Sequence, residues 1–295
     1  MVAGAVWLGL YERARMAAQS PAGMLRRLPS QNAAVLFVDF ESLRRGGFLK
    51  LLTQSKTSEE PDYQGFVRAS GFDYRNDLDV AAVSFSSDGT FFVIKGRFEW
   101  KKLESYAESQ GGSCRSHMCR MPGSTPERRI SFYPLQSSLM ALAVSSDSSA
   151  ALRLQEASSG AVQPLELPSD PVWFSIPAEN LKGAGRLPGG AHVFATALAS
   201  ADKILLSLGP EGPQLEARLS VTCRNSADAA VLLLQLQHAT SLLRDTITRE
   251  NQKPDSKDLS GVLTAGVFQQ AGRRVVGRWP LPTVFLESLL VGGSL

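Results

Sequence analysis

Residues 79–109 read DVAAVSFSSDGTFFVIKGRFEWKKLESYAES, and this stretch decides the predicted fold. Two strand-like apolar runs, Asp79–Phe85 and Thr90–Gly96, flank a Ser-Ser-Asp-Gly sequence in which Gly89 supplies the positive φ of a tight turn. Residues 98–109 follow with apolar side chains at helical spacing. The stretch therefore predicts a β-hairpin followed by a helix.

The same order recurs in the second half of the chain. Lys203–Leu208 and Gln214–Cys223 predict a second hairpin, in which apolar and polar residues alternate along the later strand. Asn225 or Ser226 then caps a long helix that ends near Arg249. A repeated pattern of elements indicates an internal duplication.

The sequence thus predicts an α+β fold of two similar domains, each a mainly antiparallel sheet with helices packed on one face. We expect an N-terminal helical segment at residues 1–30, a first domain at 31–160 and a second domain at 161–295, joined through Ser158–Asp170, where Ser, Gly and Pro interrupt the periodicity. Further elements are expected as a strand from Ala33, a helix over Glu41–Leu52, a helix capped by Asp147, strands over Val262–Gln269 and Arg274–Trp279, and a helix over Thr283–Leu290.

The first residues form an apolar run, Val2–Leu10, followed by Arg13 and Arg15. A membrane-spanning helix needs about 20 apolar residues, so this run is too short to span by itself. It is either the end of a longer anchor or signal segment, or part of a soluble amphipathic helix over Val6–Met24. The composition is that of a globular protein, with 43% hydrophobic residues, 20% charged residues and a net charge of +3, which is too small to indicate nucleic-acid binding.

The chain resembles uncharacterised bacterial proteins in which hairpin-helix units follow an N-terminal hydrophobic segment. The resemblance is one of layout and depends on Asp79–Ser109 and Lys203–Arg249. It implies an exported or membrane-anchored protein of the cell envelope with no known activity, and it transfers no functional residue. The alternative location is the cytoplasm.

Cys114 and Cys119 flank a four-residue segment between predicted strands, so they can face each other on a hairpin and form a disulfide. Export would favour that bond and a cytoplasmic location would not. With His117 they make a Cys-His-Cys group, but a structural zinc site normally has four ligands and Cys223 is expected to be a small buried apolar residue. We therefore predict no metal site.

Catalytic and cofactor signatures are missing from the sequence. No Gly-x-Ser-x-Gly motif occurs, and His117, His192 and His238 have no patterned Asp or Ser partner. Asp73, Asp77 and Asp79 lack the glycine and closing glutamate of a calcium loop. Gly183-Ala184-Gly185 begins like a dinucleotide-binding turn, but Pro188 stands where the third glycine belongs. We predict no cofactor and no catalytic residue.

Nucleic-acid binding is the best-defined rival class, because Lys95-Gly96-Arg97-Phe98 resembles the start of an RNA-recognition strand. The next residues depart from that motif, and a patch of Arg115, Arg120, Arg128 and Arg129 is equally consistent with a solvated surface. The leading hypothesis is a non-enzymatic envelope-associated or protein-interaction protein. The alternative is an enzyme, such as a hydrolase, with a site assembled at the domain junction.

Overall fold

The structure is a computed structural model that describes residues 16–53, 61–156, 167–177, 179–180, 197–198, 201–212, 214–250 and 253–290, with side chains omitted at 51–53 and 289–290. The apolar run Val2–Leu10, most of the predicted linker, His192 and the Gly183–Gly185 turn lie outside these ranges. Internal contacts divide the chain into unit 1, residues 1–41 and 59–167, and unit 2, residues 42–58 and 168–295. The predicted boundaries at residues 30 and 160 stay a prediction.

Unit 1 contains an antiparallel sheet whose strands pair in the order β1-β2-β3-β7-β6-β5-β4. The strands are β1 (Ala34–Asp39), β2 (Leu78–Ser86), β3 (Gly89–Gly96), β4 (Ser113–Arg115), β5 (Met118–Pro122), β6 (Arg129–Gln136) and β7 (Leu139–Ser145). The predicted β2–β3 hairpin is present, with Ser86 opposite Gly89. Gly89 has φ of 141°, and a Cβ there would lie 2.5 Å from the Val144 carbonyl oxygen. Both the conformation and the close approach require glycine.

Helical segments lie on both faces of this sheet. They are α1 (Pro21–Leu25), α4 (Pro61–Ser70), α5 (Tyr74–Asp77), α6 (Trp100–Ser109) and a 3-10 helix at Ala150–Leu154, while α2 (Phe40–Arg45) begins where β1 ends. Leu103 of α6 packs in one cluster with Phe132 and Met140 of the sheet. The 3-10 helix contacts the opposite face, because Ala151 N donates a hydrogen bond of 3.1 Å to Oγ of Ser131, the neighbour of Phe132 on β6.

The described residues of unit 2 form antiparallel strands in the order β8-β9-β10-β12-β11. They are β8 (Val172–Pro177), β9 (Lys203–Glu211), β10 (Gln214–Thr222), β11 (Val267–Ala271) and β12 (Arg274–Leu281); the helices are α3 (Phe48–Thr53), α7 (Ser226–Arg249), α8 (Leu259–Thr264) and α9 (Thr283–Leu290). Asn225 caps α7, since its side chain accepts a 2.8 Å hydrogen bond from Asp228 N. Leu232 and Leu236 of α7 are buried in one core cluster with Leu219 and Val275 of the sheet.

The two units share a pairing order. In each, a first strand pairs with a hairpin, a helix follows the hairpin, and the last strand of the unit returns to pair with the second hairpin strand. The β4–β5 hairpin is the addition in unit 1. The observed elements confirm the α+β class, whereas the duplication stays a prediction.

Three local predictions differ from the structure. The helix expected over Glu41–Leu52 is divided into α2 and α3, because Gly47 has φ of 76° and ends the first of them. The helix expected after Asp147 is the short 3-10 helix. The strand expected over Val262–Gln269 begins only at Val267, because Asp258 accepts a hydrogen bond from Ser260 N and caps α8 instead.

No helix among the described residues is long and apolar enough to cross a membrane.

Candidate functional site

The β4–β5 hairpin carries the two cysteines selected from the sequence. Cys114 and Cys119 are direct cross-strand partners, with Cα atoms 4.1 Å and sulfur atoms 2.04 Å apart, so the structure joins them in a disulfide. Ser116 and His117 form the turn with positive φ values of 48° and 65°. The bond closes the hairpin at the edge of the unit 1 sheet.

The surroundings of the disulfide leave no thiolate for a metal ion. Cys119 is fully buried and packs with Leu103 and Ala107 of α6, while the exposed His117 ring lies 3.0 Å from a carboxylate oxygen of Glu104. Cys223 is buried in the core of unit 2, and burial raises the pKa of its thiol. Among the described residues, no group of three His, Cys, Asp or Glu side chains is arranged to hold a metal ion.

We expect the double variant Cys114→Ala/Cys119→Ala to lower the free energy of unfolding by about 2 kcal/mol, because the bond restricts the unfolded chain over a short loop. Urea unfolding with and without reductant measures the effect. Reductant should lower the stability of the wild type and leave that of the variant unchanged. Equal stability of the oxidised wild type and the variant would contradict the prediction.

The residues that resemble an RNA-recognition strand are engaged in internal contacts. Arg97 Nε lies 3.2 Å from an Asp77 carboxylate oxygen, and the Phe98 ring stacks on Phe72 at 5.4 Å with an interplanar angle of 15°. Phe98 also lies 5.2 Å from Trp100. An exposed aromatic platform on a strand, which base stacking needs, is therefore not formed by these residues.

The aspartates considered for a cation have structural partners. Asp73 caps α5 by accepting a 3.0 Å hydrogen bond from Arg75 N, and it also accepts one from the Tyr63 hydroxyl at 3.0 Å. Asp77 accepts a hydrogen bond from Asp73 N in addition to its ion pair with Arg97. These contacts hold the segment Asp73–Asp77 directly before β2 in place.

A polar depression of about 570 Å³ lies at the β2–β3 turn of unit 1. Asp88 and Arg153 line it and pair at 3.2 Å. The Ser145 hydroxyl donates a 2.6 Å hydrogen bond to the Asp88 carbonyl oxygen. Because its hydroxyl is directed to a carbonyl and not to a base, Ser145 is not arranged as an activated nucleophile.

Tyr133 and Arg27 of unit 1 each have a buried polar atom without a hydrogen-bond partner. The Tyr133 hydroxyl and Arg27 Nε are buried and have no hydrogen-bond partner, although Arg27 Nη1 donates to the Leu154 carbonyl oxygen at 3.1 Å. Burial raises the pKa of Tyr133 to about 12, against a smaller opposing effect of the Arg27 charge.

We expect the stability contributed by neutral Tyr133 to be complete below pH 10 and to decline as the pH rises towards 12. Folding raises the tyrosine pKa above its unfolded value of about 10, so the unfolded chain loses its proton first. The measurement is the free energy of unfolding between pH 8 and 11.5. In Tyr133→Phe the free energy of unfolding should decline less over this pH range. The pH dependence that remains comes from Tyr63, whose pKa is raised by burial and by its hydrogen bond to Asp73. Identical pH profiles for the two proteins would contradict the assignment to Tyr133.

Arg218 on β10 is the centre of a charge cluster in unit 2. Its guanidinium lies 2.6 Å from Asp170, 2.7 Å from Glu211 and 2.8 Å from Glu216, and Ser207 donates a 2.5 Å hydrogen bond to Asp170. Burial by itself would lower the pKa of Arg218, but the hydrogen bond to Glu216 and the nearby carboxylates outweigh it and raise that pKa. Because the guanidinium pairs with three carboxylates of its own chain, the cluster has a structural role.

The outward face of α7 exposes three large apolar side chains. Val231, Leu234 and Leu242 are 55%, 65% and 41% exposed. The segment Ala229–Leu243 contains no Asp, Glu, Lys or Arg, although its outer side chains face water. Exposed apolar surface without charge is typical of sites that bind another apolar surface. We define the outer row as the exposed residues along one side of α7: Ala227, Val231, Leu234, His238, Leu242, Asp245 and Arg249.

Comparison with solved structures gives a match over nearly the whole chain. The Treponema protein TP0453, in its crystal form IV, aligns with a TM-score of 0.50 at 12% identity, covering 92% of this chain and 96% of that protein. The fold is similar to that of TP0453. Crystal form I aligns at 0.48, also with 12% identity, covering 90% and 95%. At this identity the likeness concerns the fold alone. No protein-family model and no curated protein matches the sequence.

The sequence predicted the two cysteines of the disulfide but did not predict the outer row of α7. The leucine-rich sequence of α7 predicts one broad apolar face on the sheet, Leu242 included, but Leu242 is 41% exposed. The absence of charge between Ala229 and Leu243 is the signal that could have revealed it.

Proposed function

We propose that this protein acts by binding another protein surface, not by catalysis, and that the outer row of α7 is the binding surface. The observation that carries the proposal is the set of exposed apolar side chains Val231, Leu234 and Leu242, which lie in the segment of α7 without charged residues. Interface centres are depleted in charged residues, and exposed apolar patches on soluble domains are commonly contact sites.

The contacts of the candidate catalytic groups support a binding role. His117 lies beside Glu104 on the surface, and His238 is exposed on α7 between Gln237 and Ala239. Ser145 directs its hydroxyl to a backbone carbonyl. None of these described groups forms the nucleophile-base pair that covalent catalysis needs.

A photoreactive amino acid placed at Leu234 tests the binding surface in living cells. We expect a covalent protein adduct from position 234 and none from the exposed position Lys101 on α6, which serves as the matched control. The adduct should disappear when Leu242→Asp is added and persist when Gln237→Asp is added. Equal adducts from positions 234 and 101, or an adduct insensitive to Leu242→Asp, would refute the proposal.

We also propose an oxidising location, in the cell envelope, with the segment Val2–Leu10 providing membrane association. The disulfide between Cys114 and Cys119 supports this proposal, since such bonds persist outside the reducing cytoplasm. In cells quenched with acid, we expect Cys114 and Cys119 to resist alkylation until reductant is added. Free thiols at both positions would overturn the location, and an unchanged membrane fraction after deletion of residues 2–10 would overturn the role of that segment.

A further inference from the structure

We infer that β11, at the edge of the unit 2 sheet, is a docking site for an extended acidic segment of a partner protein, which binds by adding a strand beside β11. The inference goes beyond the proposed function, because it concerns the sheet edge and the face of the sheet opposite α7, and not the outer row. It depends on the open backbone of β11, on the packing that holds this strand in place and on the arginines of the neighbouring strand.

β11 (Val267–Ala271) has a strand partner on one side only. It pairs with β12 over its whole length, and it is the last strand in the order of unit 2, so no described strand occupies its other side. A two-residue turn places Ala271 opposite Arg274. The carbonyl of Ala271 is therefore directed to β12, and the alternation of an antiparallel pair directs the N–H and C=O of Gln270 to the open side.

The β11 edge lacks the features that protect sheet edges from pairing. Charged side chains, proline, bulges and very short strands serve that purpose, whereas β11 contains no charged residue and no proline and pairs without a register shift. The β4 edge of unit 1 differs, because it has three residues, ends in Arg115 and is closed by the disulfide of Cys114 and Cys119. β11 is therefore open to strand addition, in which an extended peptide pairs with a sheet edge.

Packing on the α7 side of the sheet holds β11 in one register. Phe268 is buried against Trp279, with ring centroids 5.3 Å apart and an interplanar angle of 82°. Gly277 lies opposite Phe268, and a Cβ there would lie 2.9 Å from the phenyl ring, so glycine leaves the space that this ring occupies. The Gln270 side chain donates a 2.8 Å hydrogen bond to the Ser226 carbonyl oxygen. The edge is thus formed before a partner binds, which reduces the entropic cost of binding.

The face of β12 opposite α7 carries two arginines beside β11. Arg274 and Arg278 are exposed and lie four residues apart on that face. Arg278 is directly opposite Arg218 of β10, and the Glu216 carboxylate pairs with Arg218 at 2.8 Å. Among the described residues, Arg278 forms no ion pair. Charge complementarity therefore favours a partner with carboxylates at this edge.

The strand register gives the spacing of those carboxylates. Ala271 lies opposite Arg274, and Val267 lies opposite Arg278. Strands lie about 4.8 Å apart, and the short side chains at positions 267 and 271 leave room for the long arginine side chains to extend across β11 towards an added strand. Carboxylates opposite positions 267 and 271 are four residues apart. The partner segment therefore has acidic residues at i and i+4 and apolar residues at i+1 and i+3, on the side of Phe268.

Fluorescence anisotropy with two labelled peptides tests the charge. The probe is Thr-Glu-Val-Thr-Val-Glu-Thr, and its control has lysine in place of both glutamates. We expect the full chain to bind the acidic peptide with a dissociation constant below about 1 mM, as for a small transient contact, and the lysine peptide at least about ten-fold more weakly. Equal affinity for the two peptides would overturn the inference.

A charge reversal at Arg278 locates the binding site. Arg278→Glu should weaken binding of the acidic peptide about ten-fold, because it replaces an attraction with a repulsion. Lys101→Glu makes the same change of charge at an exposed position of unit 1 and should bind as the wild type. Equal losses in the two variants would show that only the net charge matters and would overturn the site.

Two substitutions at Gln270 separate strand addition from charge attraction. Gln270→Pro removes the open N–H, and proline is tolerated on an edge strand where that group faces away from the sheet. Gln270→Thr loses the same side-chain hydrogen bond and keeps the N–H. We expect Gln270→Pro to bind the acidic peptide at least about ten-fold more weakly than Gln270→Thr. With equal thermal midpoints, equal binding by these variants would overturn strand addition.

Hydrogen–deuterium exchange of the wild type tests the contact without a substitution. The acidic peptide should slow exchange of the Gln270 amide and leave exchange around Leu234 on α7 unchanged, and Leu234→Glu should bind the peptide as the wild type. Unchanged exchange in β11 would overturn this inference and leave the proposed function of α7 intact. Sedimentation velocity without peptide provides the last check, since a dimer that the peptide dissociates would assign the edge to a second copy and overturn the acidic partner.

Discussion

Replacing Leu236 with alanine is expected to lower the free energy of unfolding by about 2–5 kcal/mol. Leu236 is fully buried where α7 packs on the unit 2 sheet, in one cluster with Leu219, Phe268 and Val275. Truncation leaves a cavity in that cluster, and the paired strands β10 and β12 limit how far the core can collapse to fill it.

Leu234→Ala provides the matched control on the same helix. The chemical change is identical, but Leu234 is 65% exposed, so we expect a change within about 0.5 kcal/mol. Urea unfolding of the two variants measures the difference in the free energy of unfolding. Similar losses from both variants would mean that α7 presents a different face to the sheet, which would contradict both the fold of unit 2 and the assignment of the outer row.

Replacing Arg218 with methionine is expected to lower the free energy of unfolding by about 2–4 kcal/mol. Asp170 and Glu216 are only 11% and 13% exposed, and removal of the guanidinium leaves both carboxylates desolvated without a cation. Removing one partner of a buried ion pair lowers the free energy of unfolding by about 3–5 kcal/mol. We expect a smaller loss here because Arg218 is 26% exposed and solvent screens the charges.

Two further variants separate charge from packing at Arg218. Arg278→Met changes the exposed arginine directly opposite on β12 and should alter stability by no more than about 0.5 kcal/mol. Adding Asp170→Asn and Glu216→Gln to Arg218→Met should restore part of the loss, because the uncompensated negative charge is then gone. No recovery in the triple variant would show that Arg218 acts through packing and not through its charge.

The elements that the sequence predicted correctly are those encoded by neighbouring residues. The β2–β3 turn depends on Gly89, the start of α7 depends on the Asn225 cap, and the strand alternation of Gln214–Thr222 requires only a period of two. The failures arose where two local signals competed. An apolar run with β-branched residues suggested a strand from Val262, but the Asp258 cap directs the same residues into α8.

The charge cluster illustrates what local patterns cannot reveal. Arg218 and Asp170 lie 48 residues apart in the sequence. They meet because the β9–β10 register places Arg218 opposite Ser207, which donates a hydrogen bond to Asp170. A one-residue shift of that register would turn Arg218 to the other face of the sheet. The contact is therefore a property of the pairing and not of either segment.

The sequence by itself determined that the chain contains two hairpin-helix units, because turn glycines, helix caps and residue periodicity act over a few neighbouring positions. Only the tertiary structure decided which strands pair, which carboxylates surround Arg218 and which side of α7 stays in water. An α-helix with apolar residues on two sides has no preferred buried face until a sheet covers one of them. The sheet of unit 2 covers Leu232 and Leu236, and it thereby leaves Leu234 and Leu242 exposed as the surface on which the proposed function depends.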